Sequence, residues 1–437
     1  MFQEVSQLVL YRGPEEDSIL LHLADLLETR RSPSMKRTKL LTQLFGEVRR
    51  LLDLAAETGL EGNLWQHYLT FLLITNENPF SLACERREPP AGTLGMFARN
   101  DFRVFQTLFH YDFQPLEANL DTDCFTAISH YQAPAFQGRQ SGRVVGGTVE
   151  TVSSHLAEAP DEEAFFQILT SFYRDQGVGD FGLHRAFRVK GEGQSVAFLP
   201  VWGSNPGTLA DLVGYEMQKQ ELRRNTDAFV EGKASNNVLL YGDSGTGKST
   251  SVKALLSEYE GRGLRMIEVY KHQFKILSQV IAQLKNRNYK FLIFIDDLSF
   301  EEDEVEYKYL KAVIEGGVET WPENVRIYAT SNRRHLIRET WSDRSDMEHN
   351  GDIHRSDTVE EKLSLSARFG VQINYGIPSQ NQYQEIVREL AQRQDICLDK
   401  DALQAEAARW CRRRGEVSGR TARQLVDYLA GEPEEDD

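Results

Sequence analysis

Gly242 to Ser249 read GDSGTGKS and match the spacing G-x-x-x-x-G-K-[ST] at every fixed position. Such a loop does one kind of chemistry. Gly242, Gly245 and Gly247 can take backbone angles closed to other residues, so that the N–H groups of Asp243, Ser244, Thr246 and their neighbours turn inward toward an anion. Lys248 adds a positive charge aimed at the outer phosphates, the Ser249 hydroxyl is a ligand for Mg²⁺, and Thr250 continues into a helix whose N-terminus favours phosphate. A second group of reactive side chains lies further on, in YKFLIFIDD: Asp296 is the expected metal partner, and Asp297 the group that orients or deprotonates an attacking water. The run VRIYATSN ends in Thr330, Ser331 and Asn332, polar groups able to hold that water.

These residues need a frame that brings them together. Val238 to Tyr241 form an apolar run that delivers the chain into the glycine-rich loop, and Leu292 to Ile295 predict a buried central strand. Between and after them, strand-like runs (LRMIEVY, YKFLIFID, NVRIYATS) alternate with helical ones (HQFKILSQVIAQLKN, VEYKYLKAVIEGG). That alternation predicts an α/β fold with a parallel sheet covered by helices, whose strands end where ligands bind. From Ser379 onward the pattern is helical, with Ser418 as an N-cap of the last helix, and EPEEDD at 432–437 is expected to be a disordered acidic tail.

The first two hundred residues read differently. Leu40, Leu41, Leu44, Phe45, Val48, Leu51 and Leu52 recur on one helical face, and similar segments follow at 64–82, 97–113 and 162–173. QGRQSGRVVGG is expected to be loop. His110, His130, His155 and His184 stand alone and predict no catalytic group, while the aromatic stretch DFRVFQTLFHYDF has the spacing of core. The expected division is therefore a mostly helical N-terminal domain (1–200) suited to recognising a client, an α/β nucleotide domain (201–376), a helical lid (377–431) and the tail (432–437).

Composition narrows the setting. The 437 residues carry a net charge of −16, which argues against loose, sequence-independent nucleic-acid binding. No apolar run approaches the roughly 18 residues of a membrane span, and no export signal opens the chain, so a cytoplasmic address is expected. Cys84, Cys124, Cys397 and Cys411 lack metal-site spacing and read as buried free thiols.

Taken in order, the phosphate loop, IFIDD, ATSN, SARFG and SGRTAR resemble an AAA+ ATPase. The text of LADLVGYEMQKQELRRNT, NNVLLYGDSGTGKS, FLIFIDDLSFE, ATSNRRHLI and DTVEEKLSLSARFG is most similar to the bacterial family catalogued as domain of unknown function 815. The resemblance covers about Arg185 to Leu429. It implies ATP and Mg²⁺ as ligands, and a five-stranded parallel sheet of order 5-1-4-3-2 followed by a helical lid. Leu212, Val213 and Gly214 would line the adenine pocket, Asn332 would sense the nucleotide, and Arg368 would be an arginine finger serving a neighbouring subunit of a homo-oligomer such as a ring. Arg420, or else Arg423, would be the lid's own sensor. Two departures matter. Asp297 stands where most such proteins have glutamate, and VYKHQFKIL lacks the aromatic-hydrophobic-glycine loop of polypeptide-threading unfoldases, so Tyr270 and Phe274 read as structural. The expected function is ATP-driven remodelling of a protein or nucleoprotein client. Alternatives are a DNA loader or initiator, with RRHLIR and RRR as basic contacts, and a monomeric small-molecule kinase. No guanine-reading N-K-x-D segment is present.

Overall fold

The computed structural model describes residues 1–12, 18–29, 37–86, 88–133, 140–192, 195–201, 207–301, 304–316, 320–334, 336 and 365–431. The acidic tail, most of the polar segment 333–361 and the part of RRHLIR beyond Arg334 other than Leu336 lie outside these residues. The chain divides into two compact units, Met1–Arg185 with Pro200–Ser204, and Ala186–Leu199 with Asn205–Asp437.

In the first unit every regular element among the described residues is a helix. Its core is aromatic: Phe80, Phe102, Phe105 and Phe165 are fully buried, so the stretch from Asp101 is interior packing. Asp101 itself is buried and accepts the backbone N–H groups of Val9, Leu10 and Tyr11 at 2.7–3.1 Å, which compensates its carboxylate for lost water. One expectation is corrected here. Much of QGRQSGRVVGG belongs to the helix Gln140–Ala157 and not to a loop. Gly146 is there for closeness: a Cβ on it would collide with the Gly59 carbonyl group.

The second unit is α/β. Its sheet contains β1 (Ala186–Glu192), β2 (Ser195–Pro200), β3 (Val238–Gly242), β4 (Leu264–Glu268), β5 (Lys290–Ile295), β6 (Val325–Ser331) and β7 (Val371–Tyr375), in the order β2-β1-β4-β5-β6-β3-β7. Pairings β1–β4, β4–β5, β5–β6, β6–β3 and β3–β7 are all parallel. Buried on both faces, β5 shows the continuous apolar run such a strand requires, with Phe291 to Ile295 at most 1% exposed. The sheet differs from the expected five-stranded one. β1 and β2 extend it beyond β4, and the whole-sheet order changes accordingly. These strands come from Ala186–Leu199, residues that the sequence pattern assigned to the N-terminal side of a boundary at 200. Their short alternating runs carry no chemistry to mark them as part of the nucleotide module.

Helices cover this sheet: α1 (Glu216–Val230), α2 (Lys248–Tyr259), α3 (Leu277–Leu284) and α4 (Glu306–Glu315). α1 is pinned by a buried polar knot in which the Tyr328 hydroxyl meets Asn225 Nδ2 at 2.8 Å and Thr226 Oγ1 at 3.0 Å. The lid follows as α5 (Gln380–Arg393), α6 (Lys400–Arg414) and α7 (Gly419–Ala430), packed on a core of its own that includes Ile386, Val387, Leu425 and Val426. α5 and α7 both begin in capping boxes, led by Ser379 and Ser418. Of the residues read as structural, Phe274 is buried but Tyr270 is exposed, its hydroxyl donating to Glu268 at 3.0 Å. Cys84 and Cys124 are buried, while Cys397 is exposed and Cys411 half-buried; all four are free thiols.

Because β1 buries Phe187 completely and pairs with β4, a fragment beginning at Arg185 is expected to unfold at a temperature at least about 5 °C above one beginning at Asn205. Thermal unfolding of the two fragments followed by circular dichroism checks this. Equal midpoints would show that β1 and β2 add nothing to the α/β unit.

Candidate functional site

The phosphate loop leaves β3 between two parallel neighbours, and its glycines are required by what surrounds them. Gly242, Gly245 and Gly247 have φ of 133°, 72° and 94°. A Cβ on Gly242 would run into the Tyr375 carbonyl group, with the carbonyl carbon at 2.7 Å, and one on Gly245 would lie 2.8 Å from Ser418 Oγ. The loop is therefore gripped on one side by β7 and on the other by the start of α7. Further bonds fix it: Asp243 N–H donates to the Tyr375 carbonyl at 3.1 Å, the Asp243 carboxylate accepts from Ile377 N–H at 3.2 Å, and Arg420 N–H donates to the Gly245 carbonyl at 3.1 Å.

Lys248 opens α2 and is buried. Its ammonium donates to the carbonyls of Gly242 (3.0 Å) and Asp243 (2.6 Å) and to Asn332 Oδ1 (3.0 Å). Burial lowers its pKa, against the opposing pull of Asp243, Asp297 and Asp296. Asn332 Nδ2 in turn donates to Asp297 Oδ1 at 2.9 Å, so one amide joins the cation to the acid. Ser249 Oγ donates to Asp296 Oδ1 at 2.5 Å, and Lys253 Nζ stands 3.9 Å from Asp296 Oδ2. Ser249 and Asp296 together offer hard oxygen donors at the phosphate end of the cavity, a set that fits Mg²⁺.

A cavity of about 1030 Å³ collects most of the expected residues: Leu212, Val213, Ser244 to Thr250, Asp296, Asp297, Asn332, Arg420 and Arg423 all line it. Gly242, Asp243 and Gly214 do not; the first two hold the loop from behind, and Gly214, with φ 81°, turns the chain into α1. Arg420 also places Nη1 3.5 Å from Ser244 Oγ, whereas Arg423 is paired with Asp427 at 3.3 Å. Arg368 stands apart. It is about half exposed, does not line this cavity, and pairs with Glu315 at the end of α4 at 2.9 Å. Glu360 and Glu361, the acids nearest it in sequence, lie outside the described residues.

Several lining residues carry no local sequence signal. Ile386 and Leu390 of α5 join Leu212 and Val213 in the apolar part of the lining, and Val213 shares the lid's core cluster with them. Arg393, at the end of the same helix, donates to the carbonyls of Asp211 (2.8 Å) and Ala210 (3.1 Å), tying the loop before α1 to the lid. Lys219 does not line the cavity; it is buried and donates to the carbonyl of the lining residue Leu212 and to Glu216. Ile386, Leu390 and Arg393 are recognisable only once the lid is folded back across some two hundred residues of chain.

A parallel sheet with a phosphate loop after β3, acids at the end of β5, a polar residue after β6 and a helical lid defines an AAA+ P-loop protein. The chain belongs to the family described as protein of unknown function (DUF815), whose profile matches residues 183–433. Among solved structures, the RuvB Holliday junction branch migration motor of Thermotoga maritima is similar at 20% identity over 51% of this chain, with a TM-score of 0.35. A point variant of that protein gives 19% identity over 51% of this chain, with a TM-score of 0.36. This chain spans 63–64% of the length of those structures. Comparison with curated proteins gives no match. Among the described residues no helix is long and apolar enough to cross a membrane, and no group of side chains is arranged to hold a metal by protein ligands alone.

Substituting Gly242 by alanine forces a Cβ against a backbone carbonyl at a φ that L-residues rarely adopt. Gly242→Ala is therefore expected to destabilise the second unit by about 2 kcal/mol or more and to weaken nucleotide binding, as read by chemical denaturation and a fluorescent ATP analogue. Unchanged stability and binding would show that the loop is not held as described.

Proposed function

We propose that this protein binds ATP with Mg²⁺ and hydrolyses it, acting as a self-assembled AAA+ machine that remodels a protein or nucleoprotein client. The observation that carries this reading is the continuous chain Lys248–Asn332–Asp297, lying beside the Ser249–Asp296 pair in one cavity. Lys248 and the loop N–H groups bind the phosphates. Ser249 and Asp296 would hold Mg²⁺, which neutralises phosphate charge when bound. Asp297 orients the attacking water and accepts its proton, while Asn332 keeps the carboxylate turned toward the phosphate end. One methylene shorter than glutamate, Asp297 gains its reach from this bond and from its left-handed backbone, φ 52°. Leu212, Val213, Ile386 and Leu390 take the base, and Arg420 follows the phosphates from the lid.

Arg368 serves a neighbour's site. The support is its distance from its own cavity, its exposure, and the planar permanent charge suited to phosphoryl oxygens. Its bond to Glu315 does not stand in the way, because exposed ion pairs contribute only about 0–1 kcal/mol. The DNA-loader reading draws less from the structure. Arg412, Arg413 and Arg414 occupy the last turn of α6, where positive charge complements the helix dipole, and Arg414 also lies over Trp410. A monomeric kinase would leave the lid contacts to the loop and Arg368 without a purpose.

Two experiments test the reading. Lys248→Ala is expected to weaken ATP binding at least about tenfold, by loss of a charge-assisted contact, whereas Asp297→Asn binds ATP normally and slows turnover at least about a hundredfold; parent-like binding and turnover in both would overturn the site. Specific ATPase activity is also expected to rise with protein concentration, and mixing inactive Arg368→Ala with inactive Lys248→Ala chains to restore part of it. Concentration-independent activity, or full activity of Arg368→Ala alone, would return the kinase reading.

A further inference from the structure

The two acids at the end of β5 pose a geometric problem. Consecutive side chains of an extended strand point to opposite faces, so a strand that simply continued could offer only one of Asp296 and Asp297 to the cavity. Both line it. The chain solves this with a left-handed residue, Asp297 at φ 52°, a conformation that is strained for a non-glycine residue and persists only where the surroundings impose it.

One residue of the neighbouring strand is bonded all along this turn. Thr330, on β6, is 1% exposed. Its hydroxyl donates to Asp296 Oδ1 at 2.6 Å and accepts the backbone N–H of Asp297 at 3.0 Å, and its carbonyl accepts the N–H of Leu298 at 2.7 Å. Three consecutive residues past the end of β5 are thus bonded to one threonine. The same oxygen of Asp296 also receives Ser249, the hydroxyl read above as a metal ligand. If Ser249 turns its oxygen to Mg²⁺, Thr330 is the donor left on that carboxylate oxygen. A β-branched side chain, stiff at χ1, suits a group that must aim one hydroxyl at two partners.

We infer that Thr330 is the positioning residue of the site: through its hydroxyl it aims Asp296 at the metal position and turns the backbone so that Asp297 meets Asn332. The inference rests on the proposed nucleotide site and adds to it a polar residue that acts through Asp296 and Asp297 and not on phosphate or metal directly. It predicts a division of effects. Nucleotide held by Lys248 and the loop amides needs no help from Thr330, whereas metal affinity and turnover do.

The test uses the full chain, with Thr330→Val, which keeps the shape and removes the hydroxyl, and Thr330→Ser, which keeps the hydroxyl. A fluorescent ATP analogue without divalent cation, Mn²⁺ binding to the analogue-bound protein by electron paramagnetic resonance, and steady-state turnover with Mg²⁺ are measured. Thr330→Val is expected to bind the analogue within about twofold of the parent, to bind Mn²⁺ about 10–100-fold more weakly, as outer partners of metal ligands do, and to turn over correspondingly slowly. Thr330→Ser should recover metal affinity and turnover to within about threefold. Should Thr330→Val not fold by circular dichroism, Thr330→Cys, with its weak donor, takes its place with the same losses expected. Parent-like metal affinity in the hydroxyl-less variant, or a serine variant as impaired as valine, overturns the inference. If the parent binds and hydrolyses ATP while Thr330→Val matches it, only this inference falls; a parent that binds no nucleotide removes the site reading as well.

Discussion

The site exists because three parallel strands end at one level. β6 pairs with β3 so that Tyr241 faces Ser331, and with β5 so that Ile295 faces Ala329. The phosphate loop, the two acids and Asn332 therefore leave the sheet side by side, within reach of direct hydrogen bonds. A register slip of one residue would turn each buried strand's side chains to the opposite face and move the acids away from Ser249. The register is protected by burial: Val238 to Leu240 of β3, Phe291 to Ile295 of β5 and Ile327 to Ala329 of β6 are buried, and the Tyr328 hydroxyl is tied to α1. The chemistry at the edge is thus fixed by packing in the centre, which is why its polar bonds are so short and numerous.

A second constraint couples the loop to the lid. Gly245 lets Ser418 and Arg420 approach closely, and Arg393 ties α5 to the carbonyls of Ala210 and Asp211. One segment of the lid thereby touches the phosphate end of the cavity and another the apolar end. Between them Lys248 is buried among carbonyls and carboxylates, its pKa lowered by desolvation. A phosphate arriving there would offer this ammonium a charged acceptor in competition with the neutral oxygens of Asn332 and the two loop carbonyls.

The sequence made the chemistry legible where a short segment carries it all. The loop glycines, Lys248 and Ser249 lie within eight residues, and each acid or amide sits at the end of an apolar run that marks its strand, so the cavity-lining residues from Ser244 through Asn332 are readable from the sequence. Residues that act from a distance were not. Arg393, Ile386 and Leu390 look like ordinary members of an amphipathic helix, and only the return of the lid gives them a place at the cavity. β1 and β2 were missed for a related reason: AFRVKGE and SVAFLP are short strands, and β4, which joins them to the rest of the sheet through β1, lies about seventy residues away. The reading of QGRQSGRVVGG as loop failed because glycine and serine also serve helices that must pack closely, and Gly146 against Gly59 is such a place.

The central claim is that one ligand bridges the phosphate loop, the segment before α1 and the lid. Hydrogen–deuterium exchange of the full chain with and without a slowly hydrolysed ATP analogue and Mg²⁺ tests it most directly. The account predicts slower exchange in three separated segments, 243–250, 210–215 and 418–424, with Lys248→Ala abolishing all three changes together. Protection confined to the loop, or nucleotide-dependent changes that leave all three segments unaltered, would contradict it.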